Sequence, residues 1–586
     1  MARDIKASEL KDLFLDFFKK HGHIAIPSAS LIPSNDASVL FNTAGMQPLV
    51  PYLLGMPHPL GKRIVNVQKC LRTVDFDNIG DNTHHTFFQM MGNWSLGDYF
   101  KKEAITWSFE FLTGKEWLHI PLTMLAFTVY EGDKSVPRDE ESYSIWRSLG
   151  VSEKRIAFLG KDNFWIAGEI GPCGPSSEMF YWTGDGDAPA VFDPEDNRWV
   201  EIWNDVFMAY NKSSDGTVQP LKQKNVYTGM GLERTLAVLN GQKSAYETDL
   251  FQGVIKQVEI LSGRKYAEEQ RAMRIIADHI RATVFVLGDA NAVLPSNVDR
   301  GYILRRLIRR IVRYGKKIGI HELFTRTLAE VVVGDYALMY PELVKNKERI
   351  YLELHKEEER FEHTLEKGLH EFEKMVSLGN ISGINAFLLF QSYGFPLEMT
   401  EELAREKGIQ VDVKEFLAEY EKHKELSREG AEKKFKGGLA DTSEIVVKMH
   451  TATHLLNEAL RKVISPTIHQ RGSNITSERL RFDFNFDRKL TPEEVKKVEE
   501  EVNRVIHLGL AVRREEMDLE EAKMLGAQAE FGVKYPDRVS VYFVGDYSKE
   551  FCGGPHVSNS REIGHFKILK EEAVAAGVRR IKAVVE

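Results

Sequence analysis

The sequence predicts a multidomain α+β protein. Three observations carry this: the length, a change of hydrophobic period near residue 250, and a return to mixed periods after a glycine-containing joint near 434. A chain of 586 residues exceeds the size at which a single core keeps growing, so several domains are expected. With 43% hydrophobic and 28% charged residues, the composition excludes collagen-like and disordered classes. Cys70, Cys173 and Cys552 are too few for a disulfide framework and are expected as thiols or metal ligands in a reducing compartment, by default the cytoplasm. No run of about 18 apolar residues occurs, which excludes a hydrophobic spanning helix. The formal net charge of -8 argues against wholesale coating of nucleic acid but leaves room for a local basic face.

At the N-terminus, Leu10, Leu13, Phe14, Phe17 and Phe18 recur at helical spacing and Gly22 stands as a stop, so a helix is expected rather than a signal peptide. The runs IAFLGK from 156 and VEIWNDVFMAYNK at 200–212 read as strands. NVYTGMGLERTLAVLNG at 225–241 passes from a strand through a glycine turn into a helix. Residues 1–250 therefore read as α/β or α+β with an antiparallel core, and 251–433 as a helical domain with long charged stretches such as 413–434. After the joint KFKGGLADTSE at 434–444, a helix at HTATHLLNEALRKVI and strands at LRFDFNF and RVSVYFVGD make 434–586 a further α+β domain.

Three constellations carry chemistry. In DRGYILRRLIRRIVRYGKK at 299–317, Ile303, Leu304, Leu307, Ile308, Ile311 and Val312 form one stripe, and Arg305, Arg306, Arg309, Arg310 and Arg313 another. One face can pack while the other presents guanidinium forks to phosphate, unless acidic neighbours claim them. His450 and His454 stand one helical turn apart, and Cys552 and His556 repeat the four-residue spacing on a glycine turn. Together they offer three imidazoles and one thiolate, a tetrahedral zinc set; four protein ligands suit a structural site, whereas catalysis needs an open position, and the spacing leaves both open. Finally, Arg72 precedes a polar loop and the aromatics Phe87, Phe88 and Trp94, while Gly229 and Gly231 lead into Arg234 at a helix start. Arginines beside an aromatic plane and a close backbone suit a nucleotide polyphosphate, although core aromatics and an ordinary strand-to-helix turn produce the same patterns.

These residues, in order, resemble one family, the alanyl-tRNA synthetases of the class II aminoacyl-tRNA synthetases. The resemblance rests on LFNTAGMQPL (40–49), CLRT with HHTFFQMMGNWSLGDYF (70–100), DNFW (162–165), GPCGPSSE (171–178) and EIWNDVFM (201–208). It continues through TGMGLER (228–234), the RGYILRRLIRR helix, SYGFPLE (392–398), HTATHLL (450–456) and CGGPHVSN (552–559), and covers nearly the whole chain. It implies a class II antiparallel-sheet catalytic domain, a helical tRNA-binding domain and a zinc-containing editing domain.

The activity so implied is activation of alanine by ATP and Mg²⁺ to alanyl-adenylate, followed by transfer to tRNA(Ala), a chemistry of positioning and charge stabilisation. By the same resemblance Arg72 holds the α-phosphate, Arg234 sits on ATP, and Phe88 or Trp94 flanks the adenine. Trp165, Asn204 and Val206 match the amino-acid pocket, where Gly229 restricts the space beside the methyl group. A pocket for one methyl group rejects serine and glycine by only ~1–3 kcal/mol, so a second, hydrolytic site is expected. There His450, His454, Cys552 and His556 match zinc ligands, with Thr453 and Gln470 as candidate pocket residues. Asn297 matches a residue that reads the acceptor-stem G·U pair, and Arg305, Arg306, Arg309 and Arg310 fall in the tRNA-binding domain.

The chain departs from the family pattern in places. Tyr227 stands where an aspartate is usual, a carboxylate expected to pair with the alanine ammonium; Gln391 replaces the usual aspartate partner of Asn297, and Pro555 the threonine of CGGTH. Tyr227 keeps open an alternative in which the synthetase site is impaired and the chain acts as an aminoacyl-tRNA deacylase or tRNA-binding module. The β-barrel insertion and the C-terminal dimerisation domain of the family have no counterpart here, so a monomer is expected.

Overall fold

The computed structural model describes residues 4–33, 39–74, 76–166, 171–377, 379, 381–423, 443–528, 538–575 and 578–586. The joint at 434–444 and the end of the charged stretch at 413–434 fall almost wholly outside them. Contacts divide the chain into two units, Met1–Asp412 and Val413–Glu586.

The first unit is built on β1 (Ile24–Ala25), β2 (Arg63–Leu71), β3 (Phe87–Leu96), β4 (Leu125–Tyr130), β5 (Ile156–Leu159), β6 (Phe164–Ile166), β7 (Gly171–Trp182), β8 (Trp199–Lys212) and β9 (Val218–Gly231). They form a nine-stranded sheet in the order β1-β2-β3-β9-β8-β7-β4-β5, with β6 paired to β7. The central pairs β2–β3, β3–β9, β8–β9 and β7–β8 are antiparallel, as expected, and β1–β2 and β4–β5 are parallel. The N-terminal helix Ala7–Lys20 buries Leu10, Phe14, Phe17 and Phe18 and ends two residues before Gly22, which stands at φ +81°. Its Phe14 ring packs on Phe111 and Trp203 at 5.5 and 5.8 Å. Each such buried ring contributes about 1.5–3 kcal/mol over exposure.

The helical segment follows, including Asp249–Ser262, Gln270–Gly288, Asp299–Lys317, the 30-residue Lys347–Val376, Gly383–Tyr393 and Leu397–Glu406. The expected boundary at 250 lies inside the first of these helices, and sheet and helices form one compact unit. Phe87 stacks on Phe285 at 4.0 Å, and Arg281 pairs with the buried Glu233 at 2.7 Å, tying the sheet to Gln270–Gly288.

In the second unit β10 (Gln470–Ile475), β11 (Leu480–Asn485), β15 (Phe566–Ala575) and β16 (Val578–Val585) form a sheet in the order β10-β11-β16-β15. β12 (Val512–Asp518), β13 (Arg538–Val544) and β14 (Ser548–Phe551) form a second sheet in sequence order. The helices Glu444–Val463 and Pro492–Leu508 supply apolar faces to one core with Phe482, Phe484, Phe566 and Ile581. Pro492–Leu508 begins with a reciprocal capping box between Thr491 and Glu494, worth about 0.5–2 kcal/mol, and ends at Gly509 with φ +66°. The strand, turn and helix expectations for this segment hold at β11, β13 and Glu444–Val463.

Candidate functional site

The open face of the first sheet carries a cleft of about 250 Å³, lined among others by Arg72, Phe88, Met90, Trp165, Glu178, Glu201, Asn204, Tyr227, Gly229 and Arg234. Register builds its floor: Glu178 on β7 pairs with Asn204 on β8, which pairs with Gly229 on β9. Direct partners across antiparallel strands point the same way, so the three positions form one row. A side chain at Gly229 would stand 3.1 Å from Met90 Sδ and 3.3 Å from Tyr227 Oη, so glycine keeps this part of the floor clear.

At one side the Arg72 guanidinium lies 4.9 Å over the Phe88 ring, and its Nε donates to the Thr43 carbonyl at 3.2 Å. Also lining the cleft, Arg234 in the first turn of Leu232–Leu239 donates to the Thr83 carbonyl at 3.3 Å and stands 3.7 Å from Glu201. Two cations and an aromatic face around one cavity suit a nucleotide polyphosphate. Trp94 and Val206, expected beside the ligands, do not line the cleft; both are 0% exposed in the core beneath it. Trp94 stacks on Tyr227 at 6.0 Å, so of the two candidate adenine platforms only Phe88 is at the cleft. Tyr227 itself is buried, and its hydroxyl donates to Met90 Sδ at 2.9 Å. Burial pushes its phenol well up and keeps it neutral.

Among the residues at the cleft with no role assigned from sequence are Glu178, Glu201 and Met90. The first two sit in GPCGPSSE and EIWNDVFM, and that placement was the available signal. Burial, then the neighbouring Glu201 and Asp162 carboxylates, pushes Glu178 up to about 8.

The arginine stripe is a correction. Arg309 binds Glu357 at 2.7 Å; Arg310 and Arg313 bind Glu402 at 2.7 Å each; Arg305 stands 3.0 Å from Glu357 and Arg306 3.2 Å from Glu398. Their side chains are only 4–14% exposed, so these guanidiniums face acids from two other helices rather than a phosphate backbone. Arg305 also donates to the Asn297 side-chain oxygen and Arg309 to the Gly394 carbonyl. The helix thus holds the loop bearing Asn297 and the turn after Gly383–Tyr393, the helix that carries Gln391. Asn297 and Gln391 are themselves exposed.

In the second unit, ligand atoms of His450, His454, Cys552 and His556 all lie within 4.8 Å of one another. Cys552 Sγ is 3.4 Å from Nε2 of both His450 and His556. Tetrahedral zinc with bonds of about 2.0–2.3 Å sets its ligand atoms roughly 3.3–3.7 Å apart, which the two Cys552–imidazole separations match. His450 Nδ1 lies 2.9 Å from the Pro555 carbonyl, to which it can only donate, leaving Nε2 as a lone pair toward the cluster. His556 Nδ1 lies 3.1 Å from Thr451 Oγ1, which also accepts from the Val557 amide and donates to the Val447 carbonyl. Among the described residues His454 Nδ1 has no hydrogen-bond partner, and it faces the buried Glu550 carboxylate at 3.9 Å. Burial holds all three imidazoles below the usual histidine range, in the neutral form that ligates metal. Replacement of the usual threonine by Pro555 thus keeps a carbonyl acceptor for His450. Thr453 is buried with its hydroxyl on the Met449 carbonyl at 2.8 Å, and Gln470, half-buried at the start of β10, donates to Ser473 Oγ at 3.3 Å.

A largely antiparallel sheet bearing a small cleft lined by two arginines fits the architecture of class II aminoacyl-tRNA synthetases, and this chain is of that class. A family profile described as tRNA synthetases class II (A) matches residues 9–477, and one described as threonyl and alanyl tRNA synthetase second additional domain matches 539–582. The alanine–tRNA ligase of Treponema denticola is 54% identical over 100% of both chains, and that of Borreliella burgdorferi 50% over 99% of each. The alanine–tRNA ligase of Bacillus velezensis is 38% identical over 99% of this chain and 80% of its own. The chain belongs to the alanyl-tRNA synthetase family.

Proposed function

We propose that the cleft of the first unit forms alanyl-adenylate and that the imidazole–thiolate cluster of the second belongs to a site that hydrolyses mischarged tRNA. As a member of its family the chain ligates alanine to tRNA at the expense of ATP, with Mg²⁺, and carries an editing domain. The three-part division 1–250, 251–433 and 434–586 is kept as a functional proposal for adenylation, tRNA recognition and editing. The observation that carries the adenylation reading is that the stacked pair Arg72–Phe88 and Arg234 line one cleft. Arg72 then holds the α-phosphate while Phe88 supports the adenine, and Arg234 takes the outer phosphates. Trp165, Asn204, Tyr227 and Gly229 bound the space for alanine, with Val206 packed beneath. Asn297 and Gln391 remain our candidates for the acceptor stem.

Alanine-dependent ATP–pyrophosphate exchange by the purified chain tests this reading, with serine and glycine giving weaker exchange. Absence of exchange, restored by Tyr227→Asp, would favour the deacylase alternative, which family membership does not favour. Among the described residues no helix is long and apolar enough to cross a membrane, and we propose the cytoplasm as the site of action.

For the second unit we propose Zn²⁺ held by His450, His454, Cys552 and His556, with Thr453 and Gln470 near the substrate end. Bound zinc supplies a positive centre that ties the helix Glu444–Val463 to the turn after β14. The chain's own residues set its geometry: Pro555 and Thr451 fix the ring orientation of His450 and His556, and Glu550 faces His454. About one zinc per chain is expected by elemental analysis, lost in His454→Ala and Cys552→Ala together with seryl-tRNA hydrolysis. Glu550→Ala should weaken zinc about 10–100-fold in chelator competition, whereas Glu550→Gln, which can still accept a bond from Nδ1, should retain most of the affinity.

A further inference from the structure

We infer that Glu178 is the carboxylate that receives the ammonium group of alanine, an inference that rests on the adenylation reading of the cleft and adds a substrate-positioning residue to it. The floor row Glu178–Asn204–Gly229 supplies the geometry. Adjacent strands stand about 5 Å apart, so the Glu178 side chain rises two strands from the bare backbone of Gly229. Met90 Sδ and Tyr227 Oη wall the space above that glycine. An amino acid as small as alanine fits there with its methyl group over Gly229 and its ammonium turned along the row toward β7.

Charge selects Glu178 from the three glutamates at the cleft. Glu233 is spent on Arg281 at 2.7 Å and on the Gln89 amide at 3.0 Å. Glu201 stands 3.7 Å from Arg234, on the nucleotide side. Glu178 has no cation partner among the described residues; its carboxylate accepts from the Thr128 hydroxyl at 3.5 Å, and its own amide donates to Thr128 Oγ1 at 3.2 Å. Tyr227 cannot take the role as a charge, because burial keeps its phenol neutral and its proton is committed to Met90. Burial, then the Glu201 and Asp162 carboxylates, pushes Glu178 up to about 8, so near neutral pH it is largely protonated in the free chain. An arriving ammonium offsets that cost and draws the proton off, which leaves a carboxylate paired to the substrate cation, a change not open to the more weakly acidic Tyr227 phenol. The competing use of Glu178 is on the nucleotide side, sharing a divalent cation with Glu201.

The test is ATP–pyrophosphate exchange on the full chain, on Glu178→Gln and on Glu178→Gln/Tyr227→Asp, with circular dichroism to confirm folding. Glu178→Gln is expected to raise KM for alanine about 10–100-fold while KM for ATP and the Mg²⁺ requirement stay unchanged. Adding Tyr227→Asp, which returns a carboxylate two residues from Gly229, is expected to recover much of the loss. Where Glu178→Gln turns over too slowly, alanine binding by titration calorimetry reads the same difference. An unchanged alanine KM overturns the inference, and so does a raised Mg²⁺ or ATP requirement with alanine KM retained. No exchange by the unmodified chain at any alanine concentration overturns the adenylation reading together with it.

Discussion

Arg72→Ala is expected to lower the kcat of alanine-dependent pyrophosphate exchange by about 10²–10³-fold, the scale of removing one preorganised donor from developing charge. The guanidinium is held in place before substrate arrives, by the Phe88 face at 4.9 Å and the Thr43 carbonyl at 3.2 Å. It therefore needs no reorganisation when charge builds on the α-phosphate as the alanine carboxylate attacks. An interaction that strengthens in the transition state lowers kcat more than it raises KM for ATP. Arg72→Lys keeps the charge but not the flat fork that lies on Phe88, and should recover only part of the rate. Arg72 is exposed at the cleft, so the thermal midpoint of the Ala variant should stay within a degree or two of the parent. A fall in exchange matched by a fall in stability would count against a role at the phosphate.

Glu402→Ala should destabilise the first unit by about 3–5 kcal/mol, because it leaves the buried Arg310 without its acid and Arg313 with Glu406 alone. Glu402 accepts from Arg310 at 2.7 Å, Arg313 at 2.7 Å and the Tyr314 hydroxyl at 2.6 Å. Burial opposes its ionisation, yet Arg310 and Arg313 with their hydrogen bonds outweigh it and hold the carboxyl down at about 2. Its folded value lies below the ordinary 4.5, so the stabilisation is complete above that pH and is lost as pH falls toward about 2. Thermal unfolding followed by circular dichroism should show the midpoint falling by several degrees at pH 7, with the gap to the parent closing on acidification. The same helix gives a contrast with phosphate binding. If Arg310 were a phosphate ligand, Arg310→Ala would reduce the salt dependence of tRNA binding by about one charge, whereas an internal ion pair leaves that slope unchanged.

How much was legible in the sequence follows from the range of the forces involved. The helix Ala7–Lys20, the passage from β9 into Leu232–Leu239 and the capped helix Pro492–Leu508 each follow from side chains within a few positions, and local pattern suffices for them. The grouping of the imidazoles and the thiolate was legible for a related reason. Two pairs at i, i+4 each fix half a tetrahedron, and only the meeting of the halves, 102 residues apart, was left to the fold.

The arginine stripe shows where such reading stops. Its periodicity is plain, but its partners Glu357 and Glu402 lie 48 and 92 residues away, so sequence alone cannot tell a solvated face from a buried ion-pair seam. Trp94 and Phe88 share a strand and a chemistry, and only the packing of Tyr227 over Trp94 decides which ring meets the cleft. Sequence by itself therefore determined most elements, the grouping of His450, His454, Cys552 and His556, and the family of this protein. The tertiary structure alone decided which charges are spent inside the fold and that Glu178, Asn204 and Gly229 share one row, because pairing and burial are sums over segments that only folding brings together.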